Sequence, residues 1–376
     1  MPNIKAYIGK LVLIFGGSLI GFLIIAAVYP IILPSANQRM AGMRLEVSYT
    51  AGMGDLFVHQ PHLVAPPPDP YEVLSQHVLV WDDDGFRLPA QPAETYQVLA
   101  LGDSFTEAAN VALPWPDILA QKSDLSVRNL GFRGYGPLEQ AEVMRTFGAN
   151  SGADIVIIGF FGGNDLTDAR ASLSDGGFNL PNLARQAFTG AAGDEEAPWD
   201  NDFEGPFPYP VQVEMNQQRH DIAFYNGYLW RLTDAEDKWS PSSALDATVQ
   251  SWHDIADAAG DACVIIAYFP SKPQVYLPYV APEYRDTVVQ SLVRDFGEPR
   301  LTFDEMVANR ALLNRLLQER AAQEGFIFFD LLPIFDEAAA RGEMLYYTYD
   351  THWNQAGHDL AGQALAEFIN SGACES

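Results

Sequence analysis

From residue 97 onward, short apolar runs alternate with stretches of helical character, and this rhythm limits the folds open to the chain more than any other feature. The run at 154–160, Asp-Ile-Val-Ile-Ile-Gly-Phe, has no polar position after its first. A strand without a polar face belongs in a parallel sheet covered on both sides. Comparable runs stand at 97–101, 125–129, 263–269 and 326–330. Helical stretches separate them at 116–121, 137–147, 242–259 and 302–325, and two more follow, one through Ala340 and one over 354–370. Pro137 suits a first helical turn, Thr302 and Glu305 fit a capping box, Gly325 is a natural stop and Asn354 a natural start. Five strands alternating with helices predict an α/β fold with a parallel sheet between helical layers, joined by right-handed crossovers. In such a sheet the functional residues gather beyond the carboxyl ends of the strands.

Polar clusters stand at those ends. The first run stops at Gly102-Asp103-Ser104-Phe105-Thr106. Glycine makes a sharp strand-to-helix turn cheap, and a serine placed there meets the backbone N–H groups of the next helix. Ser104 then has two readings, a helix cap or a nucleophile. After the second run comes Asn129-Leu130-Gly131-Phe132-Arg133-Gly134-Tyr135-Gly136, after the third Gly162-Gly163-Asn164-Asp165, and before the last helix Asp350-Thr351-His352-Trp353-Asn354. The residue types assign roles. His352 can take the proton of Ser104, and Asp350 can hold the other ring nitrogen and fix the tautomer. Asn164 can donate a side-chain amide to an oxyanion, and Gly134 a backbone N–H with no side chain in the way.

These four blocks, in this order, resemble those of the SGNH hydrolases, also called GDSL esterases and lipases. The resemblance covers residues 97–368, interrupted by an insertion. It implies a flavodoxin-like, three-layer α/β/α fold with a five-stranded parallel sheet. It also implies Ser104 as nucleophile, His352 as base, and oxyanion donors at the Ser104 and Gly134 backbones and the Asn164 side chain. The sequence departs from the family pattern in two places. A single residue, Thr351, separates Asp350 from His352 where most members have two. The Asp-Thr-His-Trp wording is instead similar to the SGNH-type domains of alginate O-acetyltransferases and related cell-envelope acetylation proteins. Phe105-Thr106 replaces the commoner Leu-Ser or Leu-Thr, which keeps an apolar residue behind the serine.

The rest of the chain frames this unit. Residues 11–33 carry no charge and are long enough to span a bilayer as a helix. Lys5 and Lys10 precede them, so residues 1–34 are expected to be a cytoplasmic stub and a signal anchor, with a cleaved signal as the alternative. Residues 35–96, stiffened by the prolines at 66–68 and 70, are expected to form an extracytoplasmic connector. The domain proper is expected over 97–376, with an insertion at 167–241. That insertion is rich in aromatics, among them Trp199, Phe203, Phe207, Tyr209, Trp230 and Trp239. They suit either a small core of its own or stacking on sugar faces.

Charge removes some partners. With 22 basic and 49 acidic residues the formal charge is −27, which repels nucleic acid and anionic headgroups. The two cysteines cannot make a disulfide framework; Cys263 reads as a buried thiol, and a single bridge to Cys374 stays open. No Cys/His cluster has metal-ligand spacing, so neither metal nor cofactor is expected. His358 reads as a surface or supporting residue, His220 and His253 as solvated, and His59, His62 and His77 fall in the connector. Asp165 reads as a loop-fixing residue. Arg133 reads as a surface arginine or a contact to an anionic sugar, and 82–84 and 194–196 as solvated acidic turns.

The expected function is ester hydrolysis or O-acetyl transfer on an extracytoplasmic carbohydrate, through an acyl-enzyme on Ser104, beside envelope polysaccharide-modification partners. The alternatives are a general acyl esterase or lipase, and a non-catalytic carbohydrate-binding assembly subunit. The last has no use for Ser104, Asn164, Asp350 and His352 together.

Overall fold

The computed structural model describes residues 79–174, 210–239 and 242–375, together with three short strands before them. The membrane-span expectation for 11–33, the proline run, His62, His77, Trp199, Phe203, Phe207, Tyr209 and the acidic turn at 194–196 lie outside these residues. No helix among the described residues is long and apolar enough to cross a membrane. The chain divides into two compact units, Met1–Arg44 and Leu45–Ser376.

In chain order the strands are β1 (Met43–Ser48), β2 (Asp55–His59), β3 (Val64–Ala65), β4 (Leu79–Val80), β5 (Val98–Gly102), β6 (Val127–Gly131), β7 (Ile155–Phe161), β8 (Pro210–Met215), β9 (Gln218–Ala223), β10 (Cys263–Phe269) and β11 (Ile327–Asp330). The helices are α1 (Ser104–Glu107), α2 (Trp115–Ser123), α3 (Pro137–Val143), α4 (Asp165–Ser174), α5 (Asn226–Arg231), α6 (Glu236–Trp239), α7 (Ser243–Ala259), α8 (Lys272–Tyr276), α9 (Arg285–Phe296), α10 (Phe303–Asn309), α11 (Leu312–Glu324), α12 (Leu332–Ala340) and α13 (Gln355–Asn370).

The central sheet has five strands in the order β11-β10-β7-β5-β6, each pair parallel, as the apolar runs predict. β5 and β7 are buried at every position, which is what a strand without a polar face requires. The chain leaves β5 for β6 on one side and returns to β7 on the other, so the order reverses around β5. The crevice of such a sheet opens at that reversal, beyond the carboxyl end of β5. Ser104 stands there.

An aromatic cluster lies beneath this end of the sheet. Phe105, next to Ser104, stacks on Phe161 at 4.0 Å between centroids and meets Trp353, next to His352, edge-on at 5.2 Å. Trp353 also packs against Phe269 and Phe335, at 4.8 and 5.0 Å, and is wholly buried. The chain neighbours of the serine and the histidine are thus one packed unit. Shortening Trp353 to alanine would cost about 3–5 kcal/mol and loosen both.

The structure departs from the sequence reading in several places. The second strand lies at Val127–Gly131, two residues later than expected, because β6 takes its register from β5: Val127 faces Val98 and Gly131 faces Gly102. The helix expected over 302–325 is two, α10 and α11. At the break Gln274 Nε2 donates to the Arg310 carbonyl at 2.8 Å, and the Arg310 guanidinium donates to Asp336 and to the Gln274 carbonyl. The stretch from Leu79, expected as the end of a spacer, is packed: Trp81 and Phe86 are buried. Cys263 is not a free thiol but is bridged to Cys374, which ties the end of the chain beyond α13 to the start of β10. In the insertion β8 and β9 form an antiparallel hairpin. Trp239 is buried and Trp230 lies against Phe296 at 5.2 Å, so these two rings serve packing.

Candidate active site

The Ser104 turn is built from its own neighbours. Gly102 closes β5 with φ +155°, and a Cβ there would come within 2.1 Å of Thr106 Oγ1, so the turn admits only glycine. Asp103 caps α1, its Oδ1 accepting from the Phe105 N–H at 2.9 Å. The capping role open to Ser104 in the sequence is therefore filled by its neighbour, and the serine hydroxyl is left for other work. α1 ends after one turn at Ala108, which sits in the left-handed region at φ 49°. Arg87 holds that strained exit. Its buried guanidinium donates to the carbonyls of Glu107, Ala108, Val111 and Ala112, and burial lowers it to about 10.

His352 arrives on a hairpin-like turn that leads into α13. Tyr346 bridges to Trp353, Tyr347 N–H donates to the His352 carbonyl at 3.1 Å, and Asn354 caps α13 through Gly357 N–H at 3.1 Å. At the tip, Asp350 Oδ1 accepts from both the backbone N–H and Nδ1 of His352, each at 2.6 Å. This double bond to a residue two places on is why one intervening residue suffices here. Since a carboxylate only accepts, Nδ1 carries the ring proton and Nε2 is left as acceptor. Nε2 lies 2.8 Å from Ser104 Oγ. Although burial works against it, the charges and hydrogen bonds of His352, with Lys272 beyond, hold Asp350 below the usual carboxylate range.

The residues expected to donate to an oxyanion stand in the loops after β6 and β7. Gly134 has φ +81°, a conformation glycine adopts without strain. Its loop is pinned by Arg133, whose backbone N–H, Nε and Nη2 bond the buried Glu107 carboxylate at 2.8, 2.9 and 3.0 Å. Arg133 is thus a paired, partly buried arginine rather than a free surface one. Asn164 donates Nδ2 to Asp168 Oδ2 at 2.6 Å, which orients the amide and leaves its second N–H free to serve an oxyanion. Asp165 is buried and accepts from Phe161 N–H at 3.0 Å, the loop-fixing role expected of it. Burial raises Asp165 well above the usual range and Asp168 to about 6.

Ser104, His352 and Asp350 are therefore one hydrogen-bonded chain, with Gly134 and Asn164 in the loops that follow the two strands flanking β5. Of the other candidates, His358 is buried rather than at the surface. Its Nδ1 accepts from Trp115 N–H at 3.3 Å, and burial lowers it well below its ordinary value. His253 lies at the surface against Glu324, 3.1 Å away. Asp82 is not merely solvated: it bonds Arg128 at 2.8 Å. Sequence reasoning missed Arg87, Glu107, Asp168 and Lys272.

The model of the GDSL-like Lipase/Acylhydrolase family matches residues 100–360. No curated protein matches the chain. Among solved structures, the chain is similar to a member of the lipolytic protein G-D-S-L family from Veillonella parvula, at 14% identity and TM-score 0.36, over 72% of this chain and 97% of that one. It is also similar to the lipase/acylhydrolase from Enterococcus faecalis, at 13% identity and TM-score 0.35, over 73% of this chain and 96% of that one. The weight rests on the family model.

Proposed function

Because the chain belongs to the GDSL-like lipase/acylhydrolase family, whose chemistry is acyl-ester hydrolysis, we propose that Ser104 is its nucleophile, His352 its general base and Asp350 the group that orients the base. The observation that carries this is the continuous bond chain from Asp350 Oδ1 through the imidazole to Ser104 Oγ. Ser104 Oγ attacks the acyl carbonyl as Nε2 takes its proton. The N–H groups of Ser104 and Gly134 and the free amide hydrogen of Asn164 receive the oxyanion. The leaving alcohol takes the proton back from His352, and an acyl-serine remains. Water or a second hydroxyl, activated in the same way, then takes the acyl group.

The finer reading is an acetyl ester on an extracytoplasmic carbohydrate, with the chain anchored by residues 11–33 and working beside polysaccharide-modification partners. Three features support it. The N-terminal run is apolar and uncharged over a bilayer's length. The Cys263–Cys374 bridge suits an oxidising compartment. The Asp-Thr-His-Trp wording at 350–353 resembles that of envelope acetylation domains.

The test uses the full-length chain in detergent with p-nitrophenyl acetate and with acetylated oligosaccharides, beside Ser104→Ala. The wild-type protein should release acetate and the variant should fall by at least ~10³-fold. Equal rates would end the nucleophile assignment. Mass gain on an added glycan acceptor would select transfer over hydrolysis, and acetate release alone would select hydrolysis.

A further inference from the structure

Lys272 begins α8, in the loop after β10, and is 1% exposed. A buried ammonium is costly unless its donors are met. Nζ donates to the Ala223 carbonyl at 2.8 Å and to the Thr348 carbonyl at 3.2 Å. Ala223 closes β9 of the insertion, and Thr348 lies two residues before Asp350. The Ala223 N–H also donates to the Thr348 carbonyl, at 2.9 Å. One side chain thus joins three segments far apart in sequence: the end of a central strand, the insertion, and the turn that carries the acid and the base.

We propose that Lys272 is a positioning residue: it locks the insertion onto the Asp350–His352 turn and sets the charge balance of that pair from behind. The proposal rests on the triad reading and adds to it a group that touches neither substrate nor serine. Packing alone does not account for the residue. A methionine would fill similar volume, but it would leave the Ala223 carbonyl without this donor. What methionine cannot supply is a cation beside Asp350. Asp350 is the charged group that Lys272 faces, and burial brings the ammonium down to about 7. The His352 ring that responds is faced by Asp350 on its own turn, Asp103 from the nucleophile turn and His358 from α13. Losing the Lys272 charge leaves Asp350 more negative in effect, which favours the protonated imidazole.

The experiment compares Lys272→Met, Lys272→Gln and Lys272→Arg in the full-length chain with p-nitrophenyl acetate over pH 5–9. Lys272→Met should melt several degrees below wild type, since the Ala223 carbonyl loses its donor, and should lose ~10–100-fold in kcat below pH 7, where Lys272 carries its charge, with KM nearly unchanged. The acid limb of its kcat/KM profile should move up by roughly 0.5–1 unit, and Lys272→Arg should return the limb to its wild-type place. If Lys272→Met does not fold, Lys272→Gln must show the same movement. A folded neutral variant with wild-type kcat and an unmoved limb overturns the proposal while leaving the triad intact. A wild-type protein no faster than Ser104→Ala overturns both.

Discussion

Two carboxylates flank the Ser104–His352 bond, and they are buried to nearly the same depth: Asp103 is 1% exposed and Asp350 5%. Burial pushes each toward the neutral acid, yet they settle on opposite sides of the ordinary value. Asp103 goes up to about 7, while Asp350 is held down. The difference lies in their company. Asp103 has the Phe105 N–H and the pull of His352, but it also faces the like charge of Asp168. Asp350 faces His352 through two short bonds and Lys272 besides. Depth alone does not decide the charge of a buried acid; the groups aimed at it do. The nucleophile turn is accordingly held by a cap that tolerates neutrality, and the acid–base turn by an ion.

The strongest way to break this contrast is to neutralise each acid in turn. Asp350→Asn presents a donor where Nδ1 needs an acceptor and should lower kcat by ~10⁴-fold in steady-state esterase assays. Asp103→Asn keeps an acceptor for the Phe105 N–H and should cost less than ~10-fold. Similar losses from the two would remove the distinction.

A second test separates the support of the acid–base turn from its chemistry. The Cys263–Cys374 bridge spans 111 residues and anchors the chain beyond α13, the helix that follows His352. Replacing both cysteines by serine should lower stability by about 2–4 kcal/mol in urea unfolding. The kcat of the folded variant should stay within twofold of wild type, since no bond of the triad is touched.

Glu107→Gln tests the other turn. It weakens the hold on Arg133 and lets the Gly134 loop shift, for which we expect about a tenfold loss in kcat, ~1.4 kcal/mol of transition-state stabilisation. An unchanged kcat would show that the loop keeps its place without the pair.

The last expected effect is on stability against pH. Between pH 8 and 5.5 the folded chain takes up protons at Asp103 and Asp168, raised to about 7 and about 6, while the unfolded chain, with ordinary carboxylates, does not. Acidification in that window therefore stabilises the fold. Lys272 opposes it: the unfolded lysine is protonated throughout, and the folded one gains its proton only below about 7. Asp350, lowered in the fold, contributes stability that is lost only as pH falls below the ordinary carboxylate range. Asp165 adds to the gain and His358, held neutral by burial, opposes it, so the reading is a difference: on going from pH 8 to pH 5.5 the wild-type protein should gain on the order of 2 kcal/mol relative to Asp103→Asn, read from urea midpoints.

Much of this molecule was legible before the coordinates. The five strands, the Asn354 cap, the Gly325 stop and the loop-fixing role of Asp165 follow from apolar runs and turn residues. So do the sites of Ser104, Asp350 and His352, because each lies in a short turn whose chemistry is written in adjacent residues. What was not legible involves partners far apart. Arg87 meets carbonyls twenty or more residues on, and Gln274 meets Arg310 at the break between α10 and α11. The bridge joins cysteines with no local signal between them. Lys272 reads as one more lysine until Thr348 and Ala223 are beside it.

The sequence by itself determined the strand pattern, the glycine turn at Gly102 and the residue types that can make a nucleophile, a base and an orienter. Period and turn chemistry are properties of neighbouring residues, and they act before any long-range contact forms. Tertiary structure alone decided that Asp103 and not Ser104 caps α1, that Asp350 is held as an ion while Asp103 is not, and that a lysine from another loop stands behind the pair. Those outcomes depend on desolvation and on the charges that burial brings together, and both exist only once the chain has closed around them.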